Sequence, residues 1–449
     1  MTPASRQRLT LAGSILGASI VALDGTLLTV AQPSLQRDLH ASLAAVQWTS
    51  TAYLVTVAAL LVFAGRLGDR YGHRRVFAVG VLGFGATSAA IGLAPGIGWV
   101  IGLRAAQGVA GALLQPATLG LLRAVYPADL LGRPIALRTV AIGLSAAAGP
   151  VVGGALTSAL GWRSVFFLTV LPAAAAGVSA LLVRLPQPSA ARPDGPGLDL
   201  PGAALLGAAL AGLVFTLVGI PDRGWTAGTW LGLAASTALG AAFLRHERRT
   251  AHPLLPPRIV GSPTVAPALG VLLAASTALF GTLFLGTYFL QDVLALDPLG
   301  SALRALPLAV AMVAAAPAAP VLARRHGTRR TVVAGMAAIT LGALGAAGFG
   351  PATPAVAIGA TFLLLGAGFG TVMVTATAAI VRSAPVGEAG VAGGLQQTAL
   401  NVGPAVGVAA ATTLTAGRPL VDALGPALCV LAATAAAGTL LATRLGSAR

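Results

Sequence analysis

Asp24 and Arg104 are the residues whose chemistry fits their surroundings least. Asp24 stands in the middle of an apolar run, in Leu23-Asp24-Gly25-Thr26, and Arg104 stands well inside another, in Arg104-x-x-Gln107-Gly108. An ionised side chain at the centre of a bilayer costs about 2.5–3.5 kcal/mol on insertion scales. Burial disfavours the charged form of an acid and a neighbouring cation favours it, so an acid under both pressures can exchange a proton as its surroundings change. Asp24 therefore reads as a proton site, or as one half of a structural ion pair. Arg104 pairs with it in a shared polar cavity and tunes its proton, or else snorkels to an interface.

A second group of charges sits in Gly65-Arg66-Leu67-Gly68-Asp69-Arg70-Tyr71-Gly72-His73-Arg74-Arg75, between two apolar runs. Gly65, Gly68 and Gly72 permit a tight turn, and Arg70, Arg74 and Arg75 anchor it on one side of a membrane. Asp69 is out of place for topology alone, because a carboxylate is unfavourable at a helix C-terminus. It calls for a cation or the N-terminus of another helix, and the run that starts near Gly390 offers one. A third pattern places Gly143, Gly149, Pro150, Gly153 and Gly154 along one run. Small residues let helices approach closely, and a proline removes a backbone hydrogen bond and bends the helix.

The elements that must hold these residues follow from composition. The chain has 449 residues, 56% hydrophobic and 9% charged, whereas a soluble protein carries about 25% charged residues. Apolar runs fall near 9–33, 45–65, 76–94, 98–122, 134–159, 164–183, 200–220, 227–244, 264–291, 303–323, 331–350, 355–381, 390–415 and 420–443. That pattern predicts an all-α polytopic membrane protein with fourteen spans, the first of them retained rather than cleaved as a signal peptide. All 28 basic residues are arginine. With the N-terminus placed in the cytoplasm, the inside segments receive twenty-two of them, Arg133 and Arg138 included. The outside segments receive Arg37, Arg163, Arg223, Arg304 and Arg418, and Arg104 is left within a span. This bias predicts that both termini are cytoplasmic.

The net charge of +16 does not indicate nucleic acid as a partner, since the arginines lie in short clusters and not on one soluble surface. The lone Cys429 and five scattered histidines offer neither a disulfide framework nor a metal cluster. No cofactor is expected beyond a proton gradient.

The chain also repeats itself. Gly72-His73-Arg74-Arg75 returns as Gly327-Thr328-Arg329-Arg330, and Gly149-Pro150-x-x-Gly153 returns as Gly403-Pro404-x-x-Gly407, at offsets of 255 and 254. Two parallel halves are therefore expected, an N-terminal six-helix bundle over 1–185 and a C-terminal one over 261–449. Residues 186–260 would supply a Pro-rich linker and two additional spans without deep charge, for which a structural role fits.

Taken together, the loop from Gly65 to Arg75, Arg104-x-x-Gln107-Gly108, Gly149-Pro150-x-x-Gly153-Gly154 and Leu23-Asp24-x-Thr26 resemble the signature motifs of the major facilitator superfamily. With the inserted pair of spans, the chain is similar to its fourteen-span drug:proton antiporter branch. The resemblance covers essentially the whole chain. It implies alternating access, proton-driven export of amphipathic compounds, and a lock between the halves at Asp69. Two departures stand out: Thr29 and Gln32 replace residues usual in the first-span motif, and Arg324 stands at the repeat position of Asp69.

Substrate contacts are expected among Thr26, Tyr53, Gln107, Gln115, Tyr288, Gln396, Gln397 and Asn401, with Phe284 a further aromatic candidate. Interhelical hydrogen bonds or lipid contact are the competing roles. The function expected is a multi-pass exporter of hydrophobic or amphipathic drugs in the cytoplasmic membrane, working as a monomer. An importer or a dedicated metabolite exporter on the same scaffold is the alternative. A membrane enzyme is disfavoured, because the spans carry no His/carboxylate cluster and no Ser/His/Asp set.

Overall fold

Inside a bilayer no water satisfies backbone amides, so an apolar chain spans it as helices whose hydrogen bonds are internal. The computed structural model describes residues 3–182, 198–250, 253–256, 259, 261–296, 298–416 and 418–445, and the described residues form helices and short connections. In chain order the helices are α1 (Pro3–Asp38), α2 (Leu43–Tyr71), α3 (His73–Gly92), α4 (Ile97–Val125), α5 (Gly132–Leu160), α6 (Arg163–Phe167) and α7 (Val170–Leu182). They continue with α8 (Leu200–Val218), α9 (Ile220–Arg223), α10 (Ala227–Glu247), α11 (Val265–Tyr288), α12 (Pro298–His326) and α13 (Thr328–Ala347). The last are α14 (Ala355–Ser383), α15 (Ala389–Thr415) and α16 (Leu420–Ala442).

Each of the fourteen apolar runs falls on a helical segment. Among the described residues, twelve such segments are long and apolar enough to cross a membrane, α6 and α7 together counting as one of them. A thirteenth is added if Ala128–Ala146 and Val151–Leu160, which meet at 42°, form one bent span. Pro150 falls in that break, though its side chain, like that of Thr29, lies outside the described residues. Helix α15 is 27 residues long but is not among the twelve. Its Gln396, Gln397 and Asn401 and its many small residues dilute its apolarity.

Helices α1 to α7 pack on one another, chiefly α1 on α5, α2 on α4 and α3 on α4 and α7. Helices α11 to α16 do the same, through α12 on α14, α13 on α14 and α16, and α11 on α15 and α16. The two sets meet where α2 and α4 pack on α15 and where α5 packs on α12.

The sequence repeat is a repeat of packing. Lipid is as apolar as leucine, so van der Waals fit and not water exclusion joins these helices. A Cβ on Gly149 would stand 1.8 Å from Thr26 Oγ1, and one on Gly153 3.0 Å from Leu27, which seats α5 on α1. In the second half a Cβ on Gly403 would stand 2.5 Å from Ser276 Cβ, and one on Gly407 2.2 Å from the Thr277 carbonyl, which seats α15 on α11. A Cβ on Gly143 would meet Met312 at 2.8 Å, where α5 faces α12, whereas one on Gly154 would find only Val30, at 3.9 Å. The turns at Gly72 (φ +90°) and Gly327 (φ +85°) match too, both in the left-handed region open to glycine.

Of the two helices expected to have a structural role, α8 reaches the interior. Helix α8 packs on α2, α10 and α15 and turns Val214, Leu217 and Val218 into a cavity between the halves.

Candidate functional site

The two deep charges meet. Arg104 Nη1 donates to Asp24 Oδ2 at 2.6 Å, and the side chains are 2% and 3% exposed. The guanidinium has two further partners. Its Nε donates to the Thr49 carbonyl at 3.0 Å, and Nη1 also donates to Gln107 Oε1. Gln107 then donates from Nε2 to Ser88 Oγ at 2.7 Å and to Asp24 Oδ1 at 3.3 Å, and Thr169 adds a hydroxyl contact to Ser88 at 3.1 Å. A buried ion pair holds only when its remaining donors and acceptors are satisfied, and helices α1, α2, α3 and α4 each supply part of that satisfaction.

Between the halves lies a cavity of about 570 Å³, within the usual range for small-molecule sites. The N-terminal set lines it with Ala22, Gly25, Tyr53, Gln115, Arg138 and Ile142; the C-terminal set lines it with Phe280, Met373, Gln397, Leu400, Asn401 and Pro404. Gln397 Nε2 donates to Gln115 Oε1 across the divide, and Asn401 Nδ2 donates to the Gln397 carbonyl at 2.7 Å.

Asp24 and Arg104 share one buried polar cluster with each other, but neither lines the central cavity. Tyr53 is the reason. Its buried ring lines the cavity and lies 4.5 Å from the Arg104 guanidinium, braced edge-on by Phe84 at 6.4 Å. The ion pair sits directly behind one wall residue.

One end of the cavity is shut. Leu119, Leu122, Leu131 and Ile135 of the first set pack against Ala316, Ala319, Val374 and Val381 of the second. This is the arginine-rich end, carrying the loop between α2 and α3. There Asp69 accepts from the Gly390 amide at 2.8 Å and from the Val391 amide at 3.0 Å, so its carboxylate sits on the N-terminus of α15, the position that helix dipoles favour. His73 Nε2 lies 3.2 Å from the same carboxylate. The helices can come this close because Gly65 and Gly390 face each other: a Cβ on Gly65 would stand 2.2 Å from the Gly390 carbonyl oxygen. A Cβ on Gly68 would strike His73 Nδ1 at 2.5 Å. Arg74 Nη1 donates to the Leu181 carbonyl at 3.0 Å, Arg70 lies 5.6 Å from the Tyr71 ring, and Arg75 is exposed.

Of the substrate candidates, the structure brings Tyr53, Gln115, Gln397 and Asn401 to the central cavity. It takes four elsewhere. Thr26 donates to the Leu23 carbonyl and packs under Gly149, and Gln107 belongs to the ion-pair cluster. Gln396 donates to Thr377 at 3.1 Å, and Tyr288 is exposed, 4.9 Å from Phe284. Two residues escaped the sequence reading. Arg138 is grouped there with the inside arginines, yet it is 2% exposed and lines the central cavity. His73 stands in the Gly65–Arg75 loop without a role assigned to it, yet it is buried beside Asp69. A histidine four residues after an aspartate at a glycine-rich turn was the available signal for the second.

The profile of the Major Facilitator Superfamily matches residues 14–408. Over 425 residues the chain is 39% identical to the tetracenomycin C resistance and export protein of Streptomyces glaucescens, covering 93% of this chain and 78% of that one. It is 32% identical over 420 residues to the multidrug efflux pump LfrA of Mycolicibacterium smegmatis, covering 91% and 81%. The human organic anion transporter MFSD10 shares the fold, with a TM-score of 0.72 over 98% of this chain and 100% of that one at 14% identity. The chain thus belongs to the Major Facilitator Superfamily, a family of membrane transporters whose curated members similar to it are antibiotic and multidrug efflux proteins.

Proposed function

We propose that this protein exports amphipathic organic compounds across the cell membrane by alternating access, in exchange for protons. The arrangement adopted is fourteen spans with both termini cytoplasmic: bundles over 1–185 and 261–449, with α8 and α10 inserted in 186–260. On that topology the arginine-rich end is cytoplasmic and the conformation described is closed to the cytoplasm. The observation that carries the reading is the central cavity, lined by both halves, sealed at one end, and separated from the buried Asp24–Arg104 pair by Tyr53. Relatives named for antibiotic resistance and export support it.

Coupling runs through Tyr53. With Asp24 ionised, Arg104 is held in the α1–α4 cluster and the Tyr53 ring rests on it. Protonation of Asp24 removes the counter-charge, and a buried guanidinium without one costs several kcal/mol. Arg104 then moves towards new acceptors and Tyr53 moves with it, reshaping the wall the compound binds. Gly149, packed on Thr26 two residues from Asp24, passes the same shift to α5 and so to α12. A potential of 100 mV supplies about 2.3 kcal/mol per charge moved.

The test uses inverted membrane vesicles and a panel of ethidium, Nile red and carboxyfluorescein. Uptake that rises with an imposed pH gradient and is lost in Asp24→Asn is expected. No gradient-dependent uptake of any dye, or full uptake by Asp24→Asn, overturns this reading. Gradient-dependent movement in the opposite direction would establish the importer instead.

A further inference from the structure

Arg138 is a second deep arginine with a different environment from the first. Arg104 has an acid, an amide, a carbonyl and an aromatic face. Arg138 is equally buried, but its Nε meets no hydrogen-bond partner among the described residues, and none of the ion pairs among them includes it. Among the described buried carboxylates, Asp24 is engaged with Arg104, Asp69 with the N-terminus of α15 and Asp199 with His246 at 2.8 Å, and Glu388, at the start of α15, forms no ion pair with Arg138. A guanidinium cannot escape by losing its proton, and a buried charge is stable only when paired. This one lines the central cavity.

Resting on the reading of that cavity as the substrate site, we propose that Arg138 is its anion-binding residue, and that the exported compound is an organic acid with an apolar body. The planar fork of a guanidinium matches a carboxylate with two parallel hydrogen bonds. An oxygen anion seated there satisfies a charge the protein leaves unmatched, and binding energy is greatest where an unmet group is met. The remaining wall suits the rest of such a molecule. Ile142, Phe280, Met373 and Leu400 offer apolar contact, while Gln115 and Asn401 offer neutral hydrogen bonds. None of the described carboxylates lines the cavity, so no side-chain negative charge there matches a cationic ligand.

Equilibrium dialysis of anthracene-9-carboxylate and 9-(aminomethyl)anthracene tests this, because the ring is constant and only the charge changes sign. Purified protein in nanodiscs is measured with empty nanodiscs subtracted. The wild type should bind the carboxylate at least tenfold more tightly than the amine. In Arg138→Gln that ratio should fall by tenfold or more, and Arg138→Lys, which keeps the charge but not the fork, should recover part of it. A wild type without preference for the acid, or an Arg138→Gln ratio equal to the wild-type ratio, overturns the proposal. Failure to bind either anthracene overturns it too. The exporter reading fails separately, when no dye of the panel shows gradient-driven uptake, whereas gradient-driven uptake of ethidium or Nile red alone would keep the exporter and overturn the choice of an acid.

Discussion

Asp69 is the most direct handle on the alternating access proposed above, because its two hydrogen bonds join the two helix sets at the arginine-rich end. A carboxylate accepting from backbone amides makes charge-assisted bonds worth about 1.5–3 kcal/mol each. In Asp69→Asn the side-chain oxygen still accepts one of them, while the charge and the second bond are lost. The cost to the closed state is then about 1.5–3 kcal/mol, which raises the open-to-closed ratio about 10- to 100-fold. Ala136 reports this opening, since it is 2% exposed within the seal between Ile135 and Val374. In a Cys429→Ser background, Ala136→Cys should react with N-ethylmaleimide 10- to 100-fold faster when Asp69→Asn is added. Equal labelling rates would show that these contacts do not hold that end shut.

Two further predictions follow from the packing and from the opposite end. Gly149→Ala places a methyl 1.8 Å from Thr26 Oγ1 and 2.6 Å from Thr26 Cβ, and overpacking costs about 1–3 kcal/mol. Thermal unfolding should show that loss, dye export should fall, and adding Thr26→Ala should restore only part of both; an unchanged Tm would refute the close α1–α5 fit. Asp38, beyond the apolar run of α1, accepts from the Trp162 indole at 2.8 Å and from Arg163, and these bonds hold its carboxyl below the usual range. Its contribution is therefore full above the unfolded pKa of about 3.9 and is lost as pH falls through the lower folded value. Trp162 emission, identified by its absence in Trp162→Phe, should hold steady down to about pH 4; a transition near pH 6 that Asp38→Asn abolishes would contradict this.

Much of the site was legible because charge in lipid leaves few choices. Asp24 and Arg104 had to find partners, and each was the other's best one. Asp69 at a helix C-terminus had to find positive potential, and the glycines of α15 allowed a helix N-terminus to reach it. What stayed hidden turned on side-chain direction and helix phase. Arg138 was grouped with the inside arginines although the apolar run near 134–159 contains it, because it stands only about one turn from that run's start, and only the packing of α5 shows that it lines the central cavity. Gln396 and Gln397 are neighbours, yet a step of 100° sends one to Thr377 and the other to the cavity. Composition alone cannot fix that phase on a helix whose faces are all small. Tyr53 was legible as an aromatic near the substrate but not as a partition, since that role needs the ring's two faces to be seen at once.

The repeat makes one last prediction, through a position where the halves differ. Asp69 is the third residue from the end of α2, and Arg324 is the third from the end of α12. Where Asp69 meets the N-terminus of α15, Arg324 shares a second cavity of about 720 Å³ with Gly132 and Arg133, which begin α5. A cation beside a helix N-terminus is unfavourable, so Arg324 is not drawn onto the start of α5 as Asp69 is drawn onto α15, and beyond the apolar seal a vestibule remains at the arginine-rich end. One lock can be released by one event, whereas two would have to be released together. Arg324→Asp should install the second lock, and a carboxylate at a helix N-terminus contributes about 0.5–2 kcal/mol. Labelling of Ala136→Cys should then slow by about 2- to 30-fold and dye export should fall with it. Combining Arg324→Asp with Asp69→Asn should bring labelling back towards the wild-type rate. If Arg324→Asp instead leaves labelling and export unchanged, a carboxylate at this position does not close the arginine-rich end, and Asp69 holds its end for a reason other than the helix it faces.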